Sequence, residues 1–167
     1  MKYISKIIDS NDNKSSFNCG QIQLDNYLKF QSSQDFKRKL SVCFVLNNEE
    51  NNQIVGYYTL SNYSIPLDFI PIELKNKLPN SYNQIPVTLL GRFAIDKSHQ
   101  NKGIGKLLLI DALKRCYFTA MTIASFAIIV DPIDENATEF YKKFGFILLP
   151  DAGKMFLPMK IVSELFK

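Results

Sequence analysis

The chain has 167 residues, of which 46% are apolar and 22% charged, with a formal net charge of +4 and a single histidine, His99. A chain of this length buries most of the surface that its unfolded form exposes, so we expect one domain over residues 1–167. No apolar run reaches the ~18 residues that span a bilayer, and the N-terminus lacks the apolar core of a secretory signal. We therefore expect a cytoplasmic protein that makes no membrane contact.

The cysteine and histidine content excludes several kinds of site. Cys19, Cys43 and Cys116 lie far apart and form no Cys-x-x-Cys pair, so neither a disulfide framework nor a zinc site is expected. One histidine allows no His-rich metal centre, and a Ser-His or Cys-His nucleophile would have to use His99. We expect no metal and three reduced, partly buried thiols.

The first half of the chain predicts a helix followed by a β-hairpin. Apolar residues follow helical spacing from Asp25 onward. Two runs rich in β-branched and aromatic residues, 42–46 and 54–60, flank an asparagine-rich turn, which is typical of a hairpin. Prolines then predict a fixed loop with a short helix around residues 71–78. The run 87–95 indicates a central strand covered on both faces.

The second half predicts alternating helices and strands, and hence a mixed α/β sheet. A helix through Cys116 would turn Ile104, Leu107, Leu108, Ala112 and Cys116 inward. After a buried strand at 125–130, Asp134 would cap a second helix that ends near Gly145. Strands at 146–149 and 154–159 would complete the sheet.

A glycine-rich turn joins the strand at 87–95 to the helix that follows. Glycines let backbone N–H groups approach a pyrophosphate, and the N-terminal end of the helix dipole favours an anion. Lys102 and Lys106 add positive charge. The turn lacks the GxxxxGK[ST] pattern of a P-loop and the full GxGxxG pattern of dinucleotide-binding folds, because only Gly103-Ile104-Gly105 is present.

Two motifs in this order identify a family resemblance. Gln100-x-x-Gly103-x-Gly105 is followed about 30 residues later by Asn136-Ala137-x-x-Phe140-Tyr141-x-x-Phe144-Gly145-Phe146. The pair resembles the acetyl-CoA-binding core of the Gcn5-related N-acetyltransferases. The resemblance implies a mixed, mostly antiparallel central sheet that is flanked by helices and splayed at the acetyl-CoA cleft.

A narrower resemblance covers nearly the whole chain. Phe17-x-Cys19-Gly20, Ile54-Val55-Gly56-Tyr57, Leu89-Leu90-Gly91-Arg92 and Phe156-Leu157-Pro158-Met159 are among the segments that carry it. These segments are similar to the acetyltransferase toxins of type II toxin–antitoxin systems. That resemblance implies acetylation of the α-amino group of aminoacyl-tRNA, a block of translation, neutralisation by a ribbon-helix-helix antitoxin, and a homodimer.

The family resemblance also implies roles for individual residues. Tyr141 would be catalytic, because a phenol with a pKa of about 10 stays protonated and can serve the departing thiolate. Backbone N–H groups near Phe93 and Ala94 would polarise the thioester carbonyl. The expected acetyl-CoA contacts are Phe93, Ala94, Ile95, Gln100, Asn101, Lys102, Gly103, Ile104, Gly105, Lys106, Asn136 and Tyr141.

The motif segments carry no evident strong base, and this narrows the choice of substrate amine. An α-amine has a pKa near 8, against about 10.4 for a lysine ε-amine, so it needs less help to lose its proton. Arg92, in an apolar strand, is expected in a structural ion pair or in contact with a substrate phosphate. The candidate tRNA contacts are Lys29, Lys37, Arg38, Lys39, Lys75, Lys77 and Arg92.

Two other functions stay open at this point. One is an N-acetyltransferase of the same family that acts on a small-molecule amine or a protein amine. The other is a catalytically silent protein with the acetyl-CoA fold that works only through its partner.

Overall fold

The computed structural model describes residues 2–150 and 152–167. Its helices and strands follow one another as β1 (Tyr3–Ile7), α1 (Ile22–Asn26), a π-helical turn (Tyr27–Gln31), α2 (Ser32–Lys37), β2 (Val42–Asn48), β3 (Ile54–Pro66), α3 (Ile72–Lys75), β4 (Gln84–Ile95), α4 (Ile104–Ala120), β5 (Ala127–Val130), α5 (Glu135–Lys142), β6 (Ile147–Leu148), β7 (Met155–Pro158) and α6 (Met159–Glu164). The predicted mixed α/β architecture is confirmed.

The strands form one seven-stranded sheet in the order β1-β2-β3-β4-β5-β7-β6. β1 with β2, β2 with β3, β5 with β7, and β6 with β7 pair antiparallel, whereas β4 and β5 pair parallel. This mostly antiparallel sheet confirms the predicted fold class. The pairing of β4 with β5 extends to Leu90 opposite Val130, where β5 ends, while β4 continues to Ile95.

The described residues fall into two compact units. The first consists of residues 2–61 and Gly91–Ala112. The second consists of Asn62–Leu90 and Leu113–Lys167, apart from residue 151. Strands β3 and β4 and helix α4 each contribute one part to the first unit and the other part to the second.

The core of the first unit contains three aromatic rings that pack together. Tyr57 is fully buried, with its ring edge-on to Phe17 at 5.5 Å between centroids and stacked on Tyr27 at 6.3 Å. Its hydroxyl donates to the carbonyl of Leu24 at 2.8 Å, so the phenol also ties the helical segment to β3. The predicted helix after Asp25 is present, but the π-helical turn in its middle was not predicted.

The second unit has an aliphatic core. Ile65, Val87, Ile129, Leu149 and Phe156 are buried together in it. Asp134 caps α5 as predicted, because its carboxylate accepts from the backbone N–H of Ala137 at 2.8 Å. Gly145 follows the end of that helix with φ of +86°, a value that favours glycine.

One sequence prediction about burial was wrong in part. In α4, Leu107 is 44% exposed, but the other residues predicted to face inward are buried, namely Ile104, Leu108, Ala112 and Cys116. Leu109 and Leu113, which were not predicted to face inward, are buried as well, so the buried stripe extends on the other side of Ile104. In β4, residues 87–95 are all buried or half-buried, in agreement with the predicted central strand.

Candidate active site

Asp96 organises the turn that leaves β4. Its side chain is almost fully buried, and Oδ1 accepts from the backbone N–H of Ser98 at 3.0 Å and from the Ser98 hydroxyl at 2.5 Å. Oδ2 accepts from the backbone N–H of Asn18 at 3.0 Å. Burial by itself raises the pKa of Asp96, but the hydrogen bonds from Ser98 and Asn18 outweigh it, so the pKa lies below its usual value. The sequence pattern did not predict this role, although Asp-x-Ser after a strand is a turn signal that indicates it.

Gln100 holds the next part of the loop. Its side-chain amide donates to the carbonyl of Ile95 at 2.9 Å and to that of Cys19 at 3.0 Å. Two residues with positive φ follow, Asn101 at +59° and Gly103 at +80°. A Cβ on Gly103 would meet no other atom within 4 Å, so the backbone here borders open space.

Two lysines of the loop are exposed. Lys102 Nζ donates to the carbonyl of Ser98 at 2.7 Å, which holds its charge over the turn. Lys106 lies in the first turn of α4, near N–H groups that have no partner within the helix. Backbone donors, the positive end of the helix dipole and two cations therefore face the same region, and this arrangement suits a pyrophosphate.

The end of β4 packs tightly against β3. A Cβ on Gly56 would lie 2.8 Å from Ile95 Cδ1, 3.1 Å from the carbonyl oxygen of Ala94 and 3.2 Å from Leu108 Cδ2. Only glycine allows this approach without a shift of the neighbouring groups. Ala94 is buried, whereas Phe93 and Ile95 are half-buried.

In the second unit, α5 carries the other predicted site residues. Asn136 is exposed in the first turn of the helix. Tyr141 is 6% exposed, with its ring 5.3 Å from Phe140 and 5.2 Å from Phe146 between centroids. Burial raises the pKa of Tyr141 above its ordinary value, so the phenol stays protonated at neutral pH.

The first unit holds a stacked pair of side chains next to these β4 residues. The guanidinium of Arg92 lies over the ring of Tyr27, 3.6 Å from its centroid. The backbone N–H of Arg92 donates to Thr59 Oγ1 at 3.0 Å. Burial has the largest effect on Tyr27 and raises its pKa to about 12. The Ser41 hydroxyl and the charge of Arg92 lower this pKa, but by less than burial raises it.

The chain matches the acetyltransferase (GNAT) family over residues 10–146. It belongs to the GNAT family. The resemblance to this family and the prediction of an N-acetyltransferase are thereby confirmed.

Relatives of this GNAT chain include proteins that modify tRNA. It is 33% identical over 154 residues to a tRNA-acetylating toxin of Mycobacterium tuberculosis, a match that covers 92% of this chain and 90% of that protein. The structure of AtaT complexed with acetyl-methionyl-tRNAfMet has a TM-score of 0.91 and 27% identity, covering 99% of this chain and all of that one. The structure of AtaTR bound with AcCoA has a TM-score of 0.84 and 27% identity, covering 99% of this chain and 98% of that one.

The basic residues predicted to contact tRNA are unequally placed in this GNAT fold. Lys29 and Lys97 line one polar cavity of the first unit, which has a volume of about 520 Å³; Lys97 was not predicted. Lys75 forms an ion pair with Asp68. Four other residues of the predicted set are exposed, namely Lys37, Arg38, Lys39 and Lys77.

The single histidine and the three cysteines have well-defined surroundings in the fold. His99 Nδ1 lies 2.8 Å from the Ser98 hydroxyl. Cys19, Cys43 and Cys116 are free and buried, and burial raises their pKa values to about 11, 12 and 12.

Within residues 2–150 and 152–167, no cluster of three or more His, Cys, Asp or Glu side chains is arranged to hold a metal ion. Over the same residues, no helix is both long and apolar enough to cross a membrane.

Proposed function

We propose that the chain is a toxin that uses acetyl-CoA to acetylate the α-amino group of aminoacyl-tRNA, which blocks translation. The observation that carries this proposal is the near full-length similarity to a tRNA-acetylating toxin together with the similarity to AtaT in complex with acetyl-methionyl-tRNAfMet. The proposed substrate is used by ribosomes, so the proposal includes a cytoplasmic location. It also includes one catalytic domain over residues 1–167.

The residues of the loop fit acetyl-CoA. Gly103 leaves open space beside backbone with positive φ, and exposed Lys102 and Lys106 provide charge for phosphates. Beyond Leu90, β4 continues past the end of β5, so the strand from Phe93 to Ile95 is suited to pair with the amide groups of the pantetheine arm. We assign the contacts to Phe93, Ala94, Ile95, Gln100, Asn101, Lys102, Gly103, Ile104, Gly105, Lys106, Asn136 and Tyr141. The side-chain amide of Gln100 is already bonded within the loop, so its contribution is to hold that loop in shape.

The proton balance of amide formation defines what Tyr141 has to do. Bound acetyl-CoA supplies the acetyl thioester that the amine attacks. The amine nitrogen must lose one proton, which passes to solvent, and the departing thiolate must gain one, which Tyr141 would supply and then recover from solvent. Because the pKa of Tyr141 is raised by burial, its hydroxyl carries its proton at neutral pH and can serve as the donor. The backbone N–H groups near Phe93 and Ala94 would polarise the thioester carbonyl.

The tRNA would be bound by basic side chains. These are Lys29, Lys37, Arg38, Lys39, Lys75, Lys77 and Arg92, to which we add Lys97 because it shares a cavity with Lys29. An acceptor stem presents closely spaced phosphates, so such residues contribute affinity that falls as salt is raised. The resemblance to toxin–antitoxin acetyltransferases adds two partners to the proposal, a ribbon-helix-helix antitoxin and a second copy of the chain.

A labelling experiment tests the function. The purified protein is incubated with radiolabelled acetyl-CoA and a panel of charged tRNAs that includes methionyl-tRNA, with uncharged tRNA and a lysine peptide alongside. We expect label on one or more charged tRNAs, released by mild base as the N-acetylated amino acid. Label on the peptide or a small amine alone would instead establish an ordinary transferase of the same family. Absence of turnover with every amine would establish the catalytically silent alternative.

A further inference from the structure

The charge of Arg92 is held against an aromatic ring and has no side-chain acceptor among the residues that the structure describes. The side chain is half-buried, and its guanidinium is stacked 3.6 Å from the Tyr27 ring centroid. Among the residues that the structure describes, no carboxylate lies within 4 Å of this guanidinium and no side chain accepts a hydrogen bond from it. The sequence allowed two interpretations of Arg92, a structural ion pair or a contact with a substrate phosphate. The described residues do not show the ion pair.

The ring under Arg92 is itself rigidly held. Tyr27 is 4% exposed and stacks on Tyr57 from the side of the core. It begins the π-helical turn Tyr27–Gln31, and segments of this kind are frequent at functional sites. The hydroxyl of Ser32, directly after the turn, donates to the carbonyl of Leu28 at 2.7 Å and closes the local backbone. Tyr27 thus offers one ring face at a fixed position beside β4.

This arrangement favours an anion as the partner of Arg92. A half-buried charge without a partner is unfavourable, so a protein that keeps one gains when a ligand supplies the acceptor. A guanidinium is planar and presents paired N–H donors that match two oxygens of a phosphate, and stacking on a ring leaves those in-plane donors unobstructed. Lys39 lies farther from a ring, with Nζ 5.0 Å from the Phe36 centroid, and it is exposed, as are Lys37 and Arg38.

The position of Arg92 along the chain indicates which phosphate it meets. It directly precedes Phe93, at the strand end that we assign to the thioester. The α-amine must reach that thioester, so the nearest anion of the substrate is the phosphodiester that leads into the terminal aminoacylated nucleotide. Resting on the proposed function, we infer that Arg92 binds this last phosphodiester and that Tyr27 is a positioning residue that holds Arg92 for it. The exposed basic residues then supply long-range attraction to the stem.

RNA binding tests the inference without any acetyl transfer. The probe is a fluorescent hairpin RNA with the acceptor stem and its single-stranded 3′ end, uncharged, titrated with the full-length protein. We expect Arg92→Lys to weaken binding about tenfold, because lysine keeps the charge but not the stacked planar fork. Lys160→Gln, a change at an exposed lysine outside the proposed set, is the matched control. Equal affinity of the Arg92→Lys and wild-type proteins would overturn the inference.

A double-mutant cycle tests the positioning role of Tyr27. Tyr27→Leu removes the ring, and Tyr27→Phe restores it without the hydroxyl. If Tyr27 acts through Arg92, Tyr27→Leu weakens RNA binding about as much as Arg92→Lys, the double variant is no weaker than Arg92→Lys alone, and Tyr27→Phe rescues. In turnover, the KM for charged tRNA should rise while the KM for acetyl-CoA stays constant. Multiplying effects in the double variant, or equal rises in both KM values, would show a general structural role and overturn the inference.

The outcomes separate this inference from the proposed function. Wild-type protein that binds the hairpin through Arg92 but acetylates no charged tRNA would refute the function and keep the RNA site. If the Arg92→Lys and Tyr27→Leu variants acetylate charged tRNA as well as the wild type does, the function is kept and the site is refuted. No binding of the hairpin by the wild type would refute the site.

Discussion

Replacement of Asp96 by asparagine tests whether the loop before α4 depends on one buried carboxylate. The wild-type side chain accepts three hydrogen bonds, two from Ser98 and one from the backbone of Asn18. Asparagine keeps a single oxygen and turns an NH₂ group toward one set of these donors. The variant thus loses at least one charge-assisted hydrogen bond and leaves a donor facing a donor, while side-chain volume hardly changes.

The expected cost follows from these contacts. A hydrogen bond to a charged group contributes about 1.5–3 kcal/mol, so Asp96→Asn should lower the free energy of unfolding by about that amount. For a chain of this size the Tm should fall by about 3–12 °C. The loop also carries Gln100 and Gly103, so we expect the KM for acetyl-CoA to rise as the loop loosens. Asp134→Asn is the control, because Asp134 accepts one exposed capping bond and asparagine caps nearly as well.

The pH dependence sharpens the test. Because the folded pKa of Asp96 is lowered, its stabilisation is fully present above the unfolded pKa of about 3.9 and is lost as the pH falls through the folded value. Urea unfolding should therefore show the full difference between wild type and Asp96→Asn at pH 7 and a smaller one near pH 3. An Asp96→Asn protein with wild-type stability at pH 7 and an unchanged KM for acetyl-CoA would refute this account of the loop.

Three further outcomes are expected. Tyr141→Phe should lower kcat about 10²- to 10⁴-fold in steady-state turnover and leave the folded state intact; an unchanged kcat would contradict a proton donor at this position. Gly56→Ala should lower the free energy of unfolding by about 1–3 kcal/mol, because its Cβ would lie 2.8 Å from Ile95 Cδ1 and 3.1 Å from the Ala94 carbonyl, and urea unfolding measures it. Gly153→Ala, with open space but φ of +62°, should cost less. Stability should be full well below pH 9 and fall as the pH passes through that value, by about 1.4 kcal/mol at pH 10 for each of the thiols of Cys43 and Cys116, because the unfolded chain releases their protons first; constant stability from pH 7 to 10 would argue against this.

Features encoded by local sequence were predicted well. The α5 helix is an example, because its cap at Asp134 and its end near Gly145 depend on residues within one or two turns. The strand, glycine-rich turn and helix from β4 to α4 are another, since positive φ at Gly103 is a property of the turn itself. In both cases the residue types that specify the backbone conformation lie within the element that they specify.

The buried face of α4 shows where periodicity alone fails. Successive helical residues are rotated by about 100°, so Leu107 and Leu109 lie on opposite sides of Ile104 around the helix axis. Both are leucine, and the spacing from Ile104 does not show on which side of it the buried stripe extends. The packing of the sheet decides this, and it buries Leu109 and exposes Leu107.

Contacts between distant parts of the chain account for what was not predicted in the site. Asp96 accepts from Asn18, 78 positions earlier in the chain, so nothing near Asp96 in sequence shows its central role. The same is true of Arg92, whose partner ring belongs to Tyr27 on another element. Sequence left two roles open for this arginine, and only the fold shows that a ring rather than a carboxylate lies beneath it.

The balance of charged groups around the loop limits the chemistry that the site can perform. Asp96 is almost fully buried and accepts three hydrogen bonds, so it is not placed to act as a base, and His99 Nδ1 lies 2.8 Å from the Ser98 hydroxyl. Burial raises the pKa of Tyr141, so its hydroxyl stays protonated; it can donate a hydrogen bond to a thiolate but cannot remove a proton from an amine. An enzyme with this set of groups matches an amine that is partly unprotonated at neutral pH. The α-amine of an aminoacyl ester meets that requirement, whereas a lysine ε-amine with a pKa of about 10.4 does not.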